Sequence, residues 1–126
     1  QSIVDIDGEL PAIDTSYFYL DPVDFPDYCN GGSFSSYPYF WTSTSHNEYS
    51  VPQGTHLAQK ATHIAFGYAW GTLDGGNTWI DVHGPGAQRS DAKTGDPSSP
   101  EYACGFGPQG DYQGIFNYVR CVRKAN

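Results

Sequence analysis

The chain has no methionine, only three cysteines, and only 6 lysine and arginine residues against 14 aspartates and glutamates. The shortage of basic residues leaves a formal charge of -8. That charge repels nucleic-acid phosphates and excludes nucleic acid as an expected partner. It also disfavours anionic lipid surfaces. No stretch approaches the roughly 20 apolar residues of a membrane-crossing helix, so membrane insertion is not expected. Several local chemistries are missing too. There is no C-x-x-C pair, which removes zinc ribbons and thioredoxin-like redox sites. There is no H-E-x-x-H, no EF-hand loop and no G-x-S-x-G elbow. The lack of methionine, beside plentiful Tyr, Gly and Asn, suits an extracytoplasmic protein: secreted, periplasmic or at the cell surface.

What the chain does have is aromatic surface. Its 126 residues include 10 Tyr, 7 Phe and 3 Trp, and each ring removes roughly 150–250 Å² from water when buried. The length predicts a single domain over residues 1–126 with a modest core. With 15 Gly and 9 Pro, turns should dominate and helix should be scarce. Gln1–Asp7 is read as the end of a helix, and Pro11, Pro22 and Pro26 make the next segment a loop with short turns. Asn30-Gly31-Gly32-Ser33 is a turn signal. Tyr37–Ser45 reads as a core strand, His46–Lys60 as an exposed loop, and Ala61–Tyr68 as a second strand. Asp74-Gly75-Gly76-Asn77 centres a hairpin whose return strand is Thr78–His83. Residues 84–110 read as a long Gly-rich loop. Asp111–Arg123 reads as a closing strand, with Tyr118, Arg120 and Val122 facing opposite to Val119, Cys121 and Arg123.

Three constellations could carry chemistry. Asp74, Asn77, Asp91 and Asp96 sit on Gly-rich turns and could offer oxygen ligands to Ca²⁺; the same residues are ordinary turn formers. His83, Asp91 and Asp111 could build an enzyme site in the Gly-rich loop 84–111, provided they cluster in a pocket. Trp70 and Trp79 flank the hairpin, where one could stack on a sugar ring or a partner side chain; both could equally be core. With Tyr102 and Arg89 they make the expected ligand-binding set.

Phe40-Trp41-Thr42-Ser43-Thr44, the terminal Tyr118-Val119-Arg120-Cys121-Val122-Arg123 and the opening Gln1-Ser2-Ile3-Val4-Asp5 together carry a resemblance. They resemble the C-terminal domain of Legionella collagen-like proteins, a family of unknown function whose fold is related to C-type lectins and sulfatase-modifying factors. Its members close on Y-V-R-C-V-R and carry a mid-domain W-[ST]-S-T strand. The resemblance implies an α+β, C-type lectin-like fold: a small twisted antiparallel sheet, little helix and long ordered loops. The chain lacks the family's W-R-L-P-type opening, so it reads as the C-terminal portion of a larger lectin-like domain. The family's terminal-strand cysteine often pairs with one ahead of that opening. By that comparison Cys29 pairs with Cys104, leaving Cys121 free or tethered to an N-terminal partner fragment. A Cys104–Cys121 bridge, or three reduced thiols, are the alternatives. Apolar surface left by missing helices would favour self-association. The functional expectation is a non-catalytic module recognising carbohydrate or protein through long loops, with an enzyme or enzyme subunit as the alternative.

Overall fold

The computed structural model describes residues 3–5, 7–8, 10–50, 52 and 54–121. Seven strands form among the described residues, all paired antiparallel. A small ribbon joins β1 (Val23–Pro26) to β2 (Ser33–Ser36). The main sheet has three strands in the order β3 (Tyr39–Ser50), β4 (Thr55–Ala65) and β7 (Gln88–Ala92). A second small ribbon pairs β5 (Trp70–Gly71) with β6 (Ile80–Asp81).

The turn chemistry explains the ribbons. In the β1–β2 turn, Asp27 Oδ1 accepts hydrogen bonds from the Cys29 and Asn30 backbone N–H groups. Gly31 and Gly32 then take φ values of +80° and +89°, where a side chain would be strained. In the β5–β6 hairpin, Thr72 Oγ1 and Asp74 Oδ1 hold Gly76 and Thr78 by their backbone N–H groups. Asn30 Nδ2 donates to the Gly76 carbonyl at 2.6 Å and ties the two turns together. The disulfide Cys29–Cys104 clamps the same corner across 75 residues of sequence. The expected pairing is therefore present, and Cys121 is a free, exposed thiol.

The core gathers where the ribbons meet the main sheet. Phe25, Tyr39, Ala65, Ala69 and Tyr112 are buried, with Phe34, Trp70 and Trp79 packed around them. Phe25 lies 4.8 Å from Tyr39 and 5.7 Å from Tyr112, ring centre to ring centre, in tilted and edge-on arrangements. Edge-to-face geometry is what ring quadrupoles favour. Tyr39 donates its hydroxyl hydrogen to the Tyr68 carbonyl and accepts from the Trp70 N–H, so its polar tip is satisfied inside the core.

The structure corrects several expectations. Among the described residues every regular element is a strand, so the α+β class gives way to a small strand-rich domain with no closed barrel. The described part of the Gln1–Asp7 segment is not helical, because Asp5 N–H donates to the Ala12 carbonyl and Gly8 N–H to Asp5, which bends it into a loop. Gln1, Ser2 and Ile6 lie outside the described residues. His46–Lys60 is largely strand rather than loop: β3 and β4 extend to Ser50 and Thr55 as one long hairpin. Its many polar residues misled, because a solvated hairpin satisfies its backbone across the ladder and needs no apolar face. The Gly-rich loop contains β7. The closing strand is absent over 111–121: Tyr118 makes one isolated parallel bridge to Phe40, and Tyr118 to Cys121 are all exposed. Val122 and Arg123 lie outside the described residues.

Candidate functional site

The cross-strand partners Trp41, His63 and Arg89 share one face of the main sheet. Asp91 lies two residues beyond Arg89 and shares that face. His63 is fully buried, stacked 4.9 Å from Tyr39 and edge-on to Trp41. Burial lowers its pKa, an effect that nearby Asp91 opposes and Arg89 reinforces. Among the described residues neither ring nitrogen of His63 has a hydrogen-bond partner, and Nδ1 stands 3.7 Å from Asp91 Oδ1.

Asp91 is the link between this buried face and the surface. It is 1% exposed, yet its Oδ2 accepts from Gly114 N–H at 2.8 Å, Ile115 N–H at 3.3 Å and Asn117 Nδ2 at 2.7 Å. These bonds pin a tight turn. Ile115 adopts φ +53°, unfavourable for a β-branched residue, while Phe116 N–H donates back to the Gly114 carbonyl. Buried Ile115 anchors the turn and exposed Phe116 projects from it. A Cβ at Gly114 would collide with Asn117 Oδ1 and crowd Asp91, so the close approach requires glycine there.

Beside this turn lies a cleft of about 190 Å³, between the 114–118 segment and β1. Tyr28, Tyr112, Phe116 and Tyr118 supply aromatic surface, and Asp24 and Asn117 supply polar groups. Phe116 is 73% exposed and Tyr118 is 47% exposed, large apolar areas left in water. Tyr28 and Tyr112 lie nearly parallel with ring centres 6.4 Å apart. Burial raises the Tyr112 phenol, helped by nearby Tyr28, Asp91 and Asp27, so both phenols remain protonated and neutral. Asn117 spends its Nδ2 on Asp91, and its Oδ1 accepts no hydrogen bond among the described residues. A second, shallower concavity of about 370 Å³ lies between β3 and β7, where His46 Nδ1 meets Ser90 Oγ at 2.7 Å.

The residues singled out from sequence lie elsewhere. Trp70 packs against Phe34 and Tyr68, and Trp79 against Phe34 and Tyr112, so both rings spend faces on the core rim. Tyr102 meets Phe106 edge-on. Arg89 is ion-paired with Asp111. None of the four lines the aromatic cleft. Of the turn carboxylates, Asp74 is held by Thr72 and Thr78, and Asp96 by Ser98; these hydrogen bonds lower the pKa of both. Asn77 donates to the Asp74 carbonyl. No three His, Cys, Asp or Glu side chains among the described residues converge as a cation site. His83 Nε2 lies 3.9 Å from Asp111 Oδ1, whereas Asp91 belongs to the His63 cluster.

Sequence reasoning missed the cleft. The strand expected over 111–123 takes in Phe116-Asn117-Tyr118, and alternation cannot reveal a turn held by a carboxylate 26 positions away. The usable signal was Gly114 before a β-branched residue and two closely spaced aromatics. Comparison with family models, curated proteins and solved structures finds no match to this chain.

Proposed function

We propose that the chain is a non-catalytic, extracytoplasmic binding module that recognises carbohydrate through the aromatic cleft between β1 and the 114–118 turn. The observation that carries this reading is the presentation of Phe116 and Tyr118 to solvent at a cleft also lined by Tyr28 and Tyr112. Aromatic faces stack on the C–H faces of a pyranose, and tyrosine hydroxyls, of which the lining holds three, exchange hydrogen bonds with its hydroxyls. The strained turn at Ile115, pinned by buried Asp91, pre-organises that surface. The disulfide supports an oxidising compartment. We further propose a kinship with the Legionella collagen-like C-terminal domains and their C-type lectin-like fold, supported by the W-T-S-T and Y-V-R-C-V-R motifs.

A glycan array followed by NMR titration tests the function. The expected result is saturable shifts of the Gly114, Phe116, Asn117 and Tyr118 amides, abolished by Phe116→Ala in a protein that keeps its fold. An array without hits, or shifts that persist in Phe116→Ala, would overturn it. The alternative of a catalytic centre draws on the nearness of His83 to Asp111. Arg89 already occupies the Asp111 carboxylate, which leaves that group poorly placed to act as a base.

A further inference from the structure

The two oxygens of Asp91 meet different partners. Oδ2 accepts from the Gly114 and Ile115 N–H groups and from Asn117 Nδ2, and among the described residues every hydrogen bond that leaves the 114–117 segment ends on it. Oδ1 has no hydrogen-bond partner among the described residues and stands 3.7 Å from His63 Nδ1, which has none either. The turn lies directly on this carboxylate: a Cβ at Gly114 would stand 3.2 Å from Oδ2. The other groups around the imidazole are held by the sheet. Tyr39 and Trp41 come from β3 and Arg89 from β7, and both strands pair with β4. The Tyr39 phenol is raised by burial and stays neutral. Arg89 sets a positive charge near the ring and is itself paired with Asp111, beyond which lies His83. Asp91 is thus the anion that lies against His63, and the turn covering Asp91 has no strand ladder of its own over 114–117.

Charging His63 in place is opposed by burial first; Asp91 favours the charge and Arg89 opposes it, and the net effect is a lowered pKa. Once water reaches the ring, the same proton is taken up at about pH 6.5. Lifting the turn off Asp91 opens a route to this pair without breaking either ladder, and it relieves the φ of +53° at Ile115. We infer that His63 and Asp91 form an acid-operated latch on the cleft: proton uptake at His63 is coupled to detachment of the 114–117 turn, and with it of Phe116. By linkage, the attached turn goes with neutral His63. It is fully favoured above about pH 6.5 and loses up to roughly tenfold in its closing equilibrium per pH unit below that. The regulatory meaning, release of a bound sugar in acid, rests on the carbohydrate-binding reading; the coupling itself does not.

The test is amide hydrogen exchange by NMR on the intact, ligand-free chain between about pH 7.5 and 5, each rate being compared with the intrinsic rate at that pH. Protection at Gly114 and Ile115 should be lower than at Tyr112, whose N–H donates to the Trp70 carbonyl, and should fall by up to roughly tenfold per pH unit below about 6.5. His63→Gln keeps a polar side chain and removes the titration, so protection of the turn should become flat. Protection that does not change with pH, or that equals that of Tyr112 throughout, would overturn the inference, since release would then require global unfolding. A fall that persists in folded His63→Gln would overturn it as well and assign the effect to Asp91. If that substitution prevents folding, the parent chain decides. There the His63 ring and the turn amides should share one titration midpoint below about 6.5, and separate midpoints would sink the coupling. A glycan array without hits would overturn the binding reading alone, because none of these signals needs a ligand.

Discussion

Tyr39 and Tyr49 stand ten positions apart on the same strand, β3, and live in different physical worlds. Tyr39 is 1% exposed, stacked on His63 and bonded at its hydroxyl to two backbone groups. Tyr49 is 59% exposed near the far end of the hairpin. Both ends are paired to β4 by the same antiparallel ladder. The ladder therefore shapes the whole hairpin, but burial, and with it most of the stabilisation, is confined to the end that meets β1, β2 and Tyr112. The far end is held by polar pairs such as Lys60 Nζ with Glu48 at 2.8 Å and by two register shifts that twist it.

The contrast can be broken most forcefully at its buried end. Tyr39→Ala removes a packed ring and leaves the Tyr68 carbonyl and Trp70 N–H without their partner; a loss of about 5 kcal/mol is expected in urea unfolding. Replacing Cys29 and Cys104 by serine opens the 75-residue connection. By the loop-entropy relation this costs about 4 kcal/mol, read as a lower denaturation midpoint that reductant no longer shifts.

A subtler probe is acid. Burial lowers the folded-state pKa of His63, so the unfolded chain takes up the proton first. Stability from this group is complete above the unfolded value of about 6.5 and is lost as pH falls below it, at up to roughly 1.4 kcal/mol per pH unit. Unfolding midpoints at pH 7.5, 6 and 5 should decline in the parent chain and flatten in His63→Gln. At the exposed end the effects should nearly vanish. Tyr49→Ala should change stability by about 0.5 kcal/mol or less. Glu48→Gln should do the same, with its small effect erased by salt, because the Lys60 pair is half solvated. A Tyr49 substitution as costly as that of Tyr39 would show that the hairpin packs along its whole length.

The cleft repeats this lesson at the level of function. Phe116 and Tyr118 resemble Tyr39 and Trp41 as letters in an aromatic, β-prone run. What separates them is Asp91, whose Oδ2 gathers three donors from the 114–117 turn and holds the chain out of strand geometry. The hairpin at 74–77 was legible because Thr72, Asp74 and the glycines act within a few residues of each other. The length of β3 and β4 was not, since a solvated ladder lacks the apolar alternation that marks a half-buried strand. The Trp70 and Trp79 assignment stayed ambiguous because their burial depends on Phe34, on a different ribbon.

Local chemistry alone determined the turns, the scarcity of helix, the acidic character and the aromatic nature of the core, since each follows from residues that act on themselves or their near neighbours. Tertiary structure alone decided which aromatics are buried and that the 114–118 turn lies beside β1 to form a cleft. Those outcomes depend on contacts between segments far apart in sequence, and their free energies are set by solvent exclusion that no short stretch of chain can achieve by itself.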